Sequence, residues 1–381
     1  MGAAHTLVVP FKRASETLRR IKGSDVKKAF NAHDWLLAIV VTICFIGVGV
    51  FMGHINNQVV PSNPSPLVHY QLERHNVLNF LAEWDGPDYL AIAAHGYTTK
   101  RLTNFFPVYP LLIRAVNYVV PSALDSALIV SWLALAGAVY FCLKVFKTLF
   151  SLNENLEAFR GVAFFILFPS AVFLIATYTE SLFALFAFAG IYFALKRRYY
   201  LASAAGLLAT ATHINGAFLV LLIAMILWEE RVRWRFVVAS LVIGGLGLAG
   251  YSLYLTLRFH APLAFIAAQQ QHGWLKYSWH SLIAQTDWLN VVFIILIIWA
   301  IKYWWNRRRS LSVYSALFLL IPLVGGQFGG FNRYVLMAFP LQFMLYDRLR
   351  HSKTGYPVGL ALSAIIWAYF LFQYAGGYVG G

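Results

Sequence analysis

The chain alternates between long apolar runs and short polar breaks. The runs cover roughly residues 35–53, 123–147, 160–177, 180–195, 200–212, 216–228, 236–257, 287–304, 311–325, 334–347 and 356–376. None shows the strict in–out alternation of a membrane β-barrel strand. Continuous apolar stretches of this kind predict helices that cross a bilayer. The sequence therefore reads as an all-α polytopic membrane protein, a bundle of about 11 transmembrane helices. Several runs within 160–195 and 200–228 fall short of the ~20 residues a simple crossing needs. They are either short helices in a thinned region or re-entrant hairpins buried in protein.

The basic residues test this layout. With the N-terminus in the cytoplasm, every lysine and arginine falls on the cytoplasmic side except Arg74, Lys100, Arg101, Arg114, Arg258, Lys276 and Arg333. So lopsided a distribution is what the positive-inside rule demands. It leaves one long outer loop, residues 54–122, ahead of the second run. Leu78, Leu81, Ala82, Tyr89, Ile92 and Ala93 are spaced to lay short helices along the membrane surface within it.

Composition narrows the class. The chain is 60% hydrophobic and 12% charged, with a mean hydropathy of +0.65; a soluble domain carries about 25% charged residues. Its length would suit two soluble domains, but no linker divides the runs. The reading is a basic cytoplasmic segment, 1–33, followed by one transmembrane domain, 34–381. The net charge of +15 does not point to nucleic acid, because the basic residues lie in short clusters flanking apolar runs. Residues 11–33 either lie on the anionic inner leaflet as a partly amphipathic stretch or form a disordered tail. No cleavable signal peptide is evident, and the first run, from Trp35, reads as an uncleaved anchor. Cys44 and Cys142 sit inside apolar runs, without disulfide or metal spacing.

Against this background the stretch LAEWDGPDYLAIAAHGY, residues 81–97, is unusual. The chain has 15 acidic residues in 381, yet Glu83, Asp85 and Asp88 fall together, beside Trp84 and Tyr89. The layout puts them outside, with FFPVYP (105–110), YTES (178–181), THING (212–216), AQQQHGW (268–274) and GGFNRY (329–334). Polar residues at a membrane are expensive, so their gathering on one side marks a candidate site.

WDGPDYLAIAAHGY, FFPVYP, PSAVFLIATYTESLFAL and RYVLMAFP together resemble the PIG-V-like family of membrane mannosyltransferases, within the GT-C class of glycosyltransferases. The resemblance covers roughly residues 77–345. It implies a GT-C-like bundle and inverting transfer of a sugar, mannose first, from a polyprenyl-phosphate donor to an acceptor hydroxyl on a glycolipid, glycan or protein. No nucleotide sugar, cofactor or obligatory metal is implied. The setting is extracytoplasmic, in a prokaryotic plasma membrane or on the lumenal side of a eukaryotic ER membrane. The family often carries Arg where this chain has His213.

The resemblance places the catalytic acid on Asp85. A carboxylate taking the acceptor's proton contributes ~10²–10⁴-fold in rate, and the apolar wall of Trp84 would raise its pKa toward that task. The alternative reading makes Asp85 the N-cap of a helix entering at Gly86-Pro87, with Asp88 completing a capping box. Arg333 offers a planar fork for the donor's phosphate, or else snorkels at the interface. Glu83 binds an acceptor hydroxyl or is a solvated loop acid. Glu180, in the Tyr178–Ser181 motif, caps a helix with Thr179 or Ser181, or holds a cation in the site. His213 and Asn215 hydrogen-bond phosphate or sugar, or form a polar break between short helices. Tyr89, Tyr109, Tyr178, Gln270, Trp274 and Tyr334 complete the candidate substrate-binding set; Gln269, Gln270 and Trp274 otherwise form an amphipathic interfacial turn.

Other classes fit less well. A transporter needs a polar path at mid-membrane and repeats of broken helices, and no internal repeat is visible. A membrane acyltransferase needs a His-centred motif, which His95 and His213 do not supply. A membrane transporter, or non-catalytic binding of a lipid phosphate, stays open as the alternative. No P-loop, G-x-G-x-x-G or H-E-x-x-H motif competes.

Overall fold

A computed structural model describes residues 32–59, 77–272, 280, 287–326 and 328–377. Trp274 and the basic stretch before residue 32 lie outside the described residues. Among those described, every regular element is a helix. In chain order they are α1 (Ala32–Val59), α2 (Gly86–His95), α3 (Val108–Asn117), α4 (Ala123–Leu149), α5 (Asn155–Ile166), α6 (Glu180–Leu195), α7 (Tyr199–Thr212) and α8 (Gly216–Glu229). The second half adds α9 (Trp234–Phe259), α10 (Ala264–Gln271), α11 (Trp288–Trp305), α12 (Arg309–Gly325), α13 (Phe331–Leu336), α14 (Phe339–Leu349) and α15 (Gly355–Ala375). Short 3₁₀ turns occupy Asn79–Ala82, Lys100–Asn104 and Ala171–Leu174.

Five of these helices, α1, α4, α9, α11 and α15, are long and apolar enough to cross a membrane; α6, α8 and α12 are shorter apolar helices. The all-helical polytopic fold is the one the apolar runs predict. Burial separates the long helices into inner and outer. In α4, 72% of the apolar window is buried, against 28% in α1, α9 and α15. The exposed faces of the outer helices carry Leu36, Ile43, Phe51, Leu253, Leu257 and Ile365, side chains suited to hydrocarbon. Ser122 starts α4 by accepting the Asp125 N–H at 3.2 Å, and Asp287 starts α11 by accepting the Asn290 N–H at 2.7 Å, each a normal N-cap.

Two of the expected spans are interrupted. The run 160–177 is α5 followed by the turn at Ala171–Leu174, and the run 334–347 is divided between α13 and α14. Pro169 and Pro340 account for the breaks: Pro169 disfavours helix at Phe168, and Pro340, in the first turn of α14, has no N–H with which to carry the α13 ladder onward. The interrupted segments meet: Ser170 Oγ donates to the Asn332 carbonyl at 2.7 Å. The non-helical stretch after Leu174 is buried, so its backbone needs partners. Trp132 Nε1 donates to the Ile175 carbonyl at 2.9 Å, and the Thr177 N–H to the Leu81 carbonyl at 2.8 Å.

The same helices carry their basic residues at the other end. Buried Asp34 pairs with Lys144 at 2.6 Å and Lys147 at 3.0 Å, tying the start of α1 to the end of α4. Glu230, after α8, pairs with Arg308, and with Arg197 at 3.7 Å. Arg197 is two residues beyond the end of α6, so about 24 Å of helix separates it from Glu180.

Candidate functional site

The breaks build the site. The turn at Asn79–Ala82 leads through Glu83 and Trp84 to Asp85, which precedes α2. Asp85 occupies the N-cap position, but its backbone is already helical (φ −75°, ψ −17°) and its side chain makes no capping bond. The carboxylate turns instead to Arg333, whose Nη1 donates to Oδ2 at 2.6 Å across 248 residues of sequence. Arg333 Nε lies 3.3 Å from Glu180 Oε1. Asp85 is 6% exposed, Arg333 7% and Glu180 1%. One buried cation is thus shared between two buried carboxylates, an arrangement that burial tolerates only because the charges are paired. The guanidinium also lies over the rings of Tyr178 at 5.4 Å and Tyr334 at 5.3 Å, at cation–π distance.

Tyr178 fixes the acidic loop. Its hydroxyl accepts the Asp85 N–H at 3.2 Å and donates to the Glu83 carbonyl at 3.3 Å. It therefore clasps both neighbours of Trp84, which stands at φ +57°. A bulky residue in the left-handed region costs ~1–2 kcal/mol. The Trp84 indole N–H is buried with no hydrogen-bond partner among the described residues. A second hydroxyl, from Tyr374 on α15, reaches the Glu83 carbonyl at 3.4 Å.

Asp85, Tyr89, His213, Arg333 and Tyr334, all expected at the site, line one cleft together with Asn104, Phe105, Phe106, Thr212, Ile214 and Gln269. Its free space is ≈ 20 Å³, room for one or two waters, so a hexose enters only when the wall moves. Asn104 contributes a buried side-chain oxygen with no hydrogen-bond partner among the described residues. His213 ends α7, and its Nδ1 accepts the Asn215 N–H at 3.1 Å. The proton of the neutral ring is therefore on Nε2. Burial, with the Arg333 charge adding to it, lowers the His213 pKa to about 3, so the ring stays neutral. The turn between α7 and α8 is tight: a Cβ on Gly216 would run into the backbone of Ala209 and Thr210.

The remaining expected residues lie around the cleft. Tyr109 is packed in the core, bonded to Ser131 Oγ at 2.7 Å and edge-on to Tyr89. Asn215 is buried, with its amide 3.7 Å from the Met337 sulfur. Glu83 is half-buried behind Asp85. Glu180 opens α6 with its carboxylate on Arg333, and Thr179 makes no side-chain cap. Gln270 is exposed, and it is its neighbour Gln269 that faces the cleft. Phe105 and Phe106 belong to the FFPVYP motif without being singled out individually, and Asn104, just before it, carries no signal of its own. Arg101 and His272 close this side, since Arg101 Nε donates to His272 Nδ1 at 3.3 Å and His272 Nε2 bonds the Arg101 carbonyl at 3.2 Å. Asp88, one turn into α2, is 5% exposed. Burial, reinforced by the charge of Asp85 and offset in part by Arg101, raises its pKa to about 7. Among the described residues, no three His, Cys, Asp or Glu side chains gather as a metal site would need.

Comparison with known proteins adds the lineage. Residues 13–236 match the family model described as Mannosyltransferase (PIG-V). That region begins earlier and ends earlier than the 77–345 resemblance, and it leaves Arg333 beyond its end. The chain is 26% identical over 186 residues to "GPI mannosyltransferase 2" of Schizosaccharomyces pombe, covering 46% of this chain and 39% of that protein. It is 32% identical over 139 residues to "GPI alpha-1,6-mannosyltransferase 2" of Homo sapiens, covering 34% of this chain and 27% of the relative. The matches thus span less than half the length of these relatives. With a model match over more than half of its residues, the chain belongs to the PIG-V mannosyltransferase family.

Proposed function

We propose that this protein is an integral-membrane mannosyltransferase that moves mannose from a polyprenyl-phosphate donor to an acceptor hydroxyl, with inversion, on the extracytoplasmic or lumenal face. The observation that carries the reading is the buried Asp85 carboxylate, turned away from its own helix and toward Arg333 on the wall of a polar cleft. The names of the relatives favour a glycolipid as acceptor.

In this reaction the acceptor oxygen attacks C1 of the sugar as the C1–O bond to phosphate breaks. The bonding pair leaves with the phosphate oxygen, and the acceptor proton passes to Asp85. A positioned base supplies ~10²–10⁴-fold. The leaving group gains a negative charge, which Arg333 offsets with N–H donors from a largely buried side chain. His213 Nε2–H and the Gln269 amide supply neutral donors along the same wall. The predominance of basic residues at the opposite helix ends supports an outward-facing cleft.

The test is donor class. Purified protein in liposomes is given acceptor-containing membrane extract with labelled mannose on either a short polyprenyl phosphate or a nucleotide. The proposal expects label transfer from the lipid donor only. Transfer from the nucleotide sugar alone, or from neither, contradicts it.

A further inference from the structure

Arg333 and Asp85 touch, yet the reaction requires them apart. An in-line displacement puts the attacking and leaving oxygens on opposite sides of C1. A base serving one oxygen and a cation serving the other cannot stay in contact at 2.6 Å with the sugar between them. The contact therefore belongs to the resting site, and something must hold Arg333 when it opens. Glu180 has the position to do so. It lies 3.3 Å from Nε, the inner nitrogen of the guanidinium, as an ion contact without hydrogen-bond geometry, while Asp85 is hydrogen-bonded to Nη1 on the outer edge. Nη2, on that same outer edge, makes no hydrogen bond to a described residue, and Arg333 lines the cleft. The outer edge is thus the one that a phosphate can take bidentately.

We propose that Glu180 is a positioning residue for the transfer. It keeps Arg333 by Nε while the outer edge of the guanidinium passes from Asp85 to the phosphate of the donor, so that donor binding is what releases the base. The inference rests on the functional reading above and adds a coupling to it. Charge counting supports it: with one cation between two acids, Arg333 can give up Asp85 and remain paired. A phosphate arriving on the outer edge replaces one anion with another, so the exchange carries little electrostatic penalty. Without Glu180, Arg333 would have Asp85 as its sole anionic partner and would release it less readily.

The experiment is binding of sugar-free polyprenyl phosphate, which isolates the exchange from the chemistry. If Asp85 competes with the ligand for Arg333, Asp85→Asn binds it more tightly than wild type, by about 3- to 10-fold for one charged hydrogen bond relieved. The gain from Asp85→Asn should be larger in a Glu180→Gln background, where Asp85 holds Arg333 alone. A merely structural Glu180 would leave that gain unchanged. Should the double variant fail to fold, Glu180→Asp keeps the charge but withdraws it from Nε, and the same enlarged gain is expected. Equal or weaker binding by Asp85→Asn overturns the exchange. Equal gains in both backgrounds remove Glu180 from it. No binding by any variant, with folded protein, instead removes the lipid-phosphate reading on which the inference rests.

Discussion

The shared guanidinium predicts an asymmetry between the two ends of one ion pair. Replacing Arg333 by Gln leaves Asp85 and Glu180, 6% and 1% exposed, facing each other with no cation. Removing one partner of a buried pair costs ~3–5 kcal/mol, and here one substitution orphans two acids. Replacing Asp85 by Asn leaves Arg333 matched one-to-one with Glu180, and the amide oxygen still accepts from Nη1. The cost should be about 1 kcal/mol, the net worth of one hydrogen bond. The assay is the unfolding midpoint in detergent, by tryptophan fluorescence, for both single variants and the double. Arg333→Gln should be much the less stable single. Adding Asp85→Asn to it should recover stability, because it removes one of the uncompensated acids. A double variant less stable than Arg333→Gln, or two singles of equal cost, would refute the shared-cation account.

Three further outcomes follow from the same geometry. Tyr178→Phe loses the hydroxyl that clasps Asp85 and Glu83, at ~1–3 kcal/mol for the buried groups left unpaired; transfer should fall about tenfold with the fold retained, and unchanged turnover would remove Tyr178 as the support of the acidic loop. Asp88, at about 7 in the fold and 3.8 when unfolded, holds a proton that the unfolded chain has lost between those values, so stability should fall as pH rises from about 4 to 7 and then level off. Asp88→Asn should flatten that part of the profile, as read by melting temperature against pH; an unchanged profile would show that Asp88 does not titrate there. Gly216→Ala should be destabilising by more than ~2 kcal/mol because its Cβ meets backbone rather than a movable side chain, and a melting temperature equal to wild type would contradict the tight turn.

Most of the architecture was legible because burial in a bilayer is written as continuous apolarity. The five long helices coincide with runs that any hydropathy reading finds. The interruptions were harder. In 160–177 and 334–347 the breaks are as apolar as the helices around them, so Pro169 and Pro340 were the only marks that the backbone changes course there. The site divides in the same way. Asp85, Tyr178, Glu180 and Arg333 stood out because polar residues are rare in such a chain. What spacing does not carry is the pairing across 248 residues, which decides that Asp85 faces Arg333 rather than capping α2. Nor does it fix the rotation of a short helix such as α10, where one step exchanges Gln270 for Gln269 at the cleft. The clasp of Tyr178 on both sides of a left-handed Trp84 is likewise a property of the assembled fold.

The measurement that bears most directly on the central claim is mannose transfer from labelled polyprenyl-phosphate mannose by wild type and Asp85→Asn, both shown by unfolding midpoint to be folded. The account predicts transfer by wild type and a loss of at least ~10²-fold in the variant, with the lipid phosphate still bound. Equal transfer by the two proteins would contradict it and take Asp85 out of the chemistry.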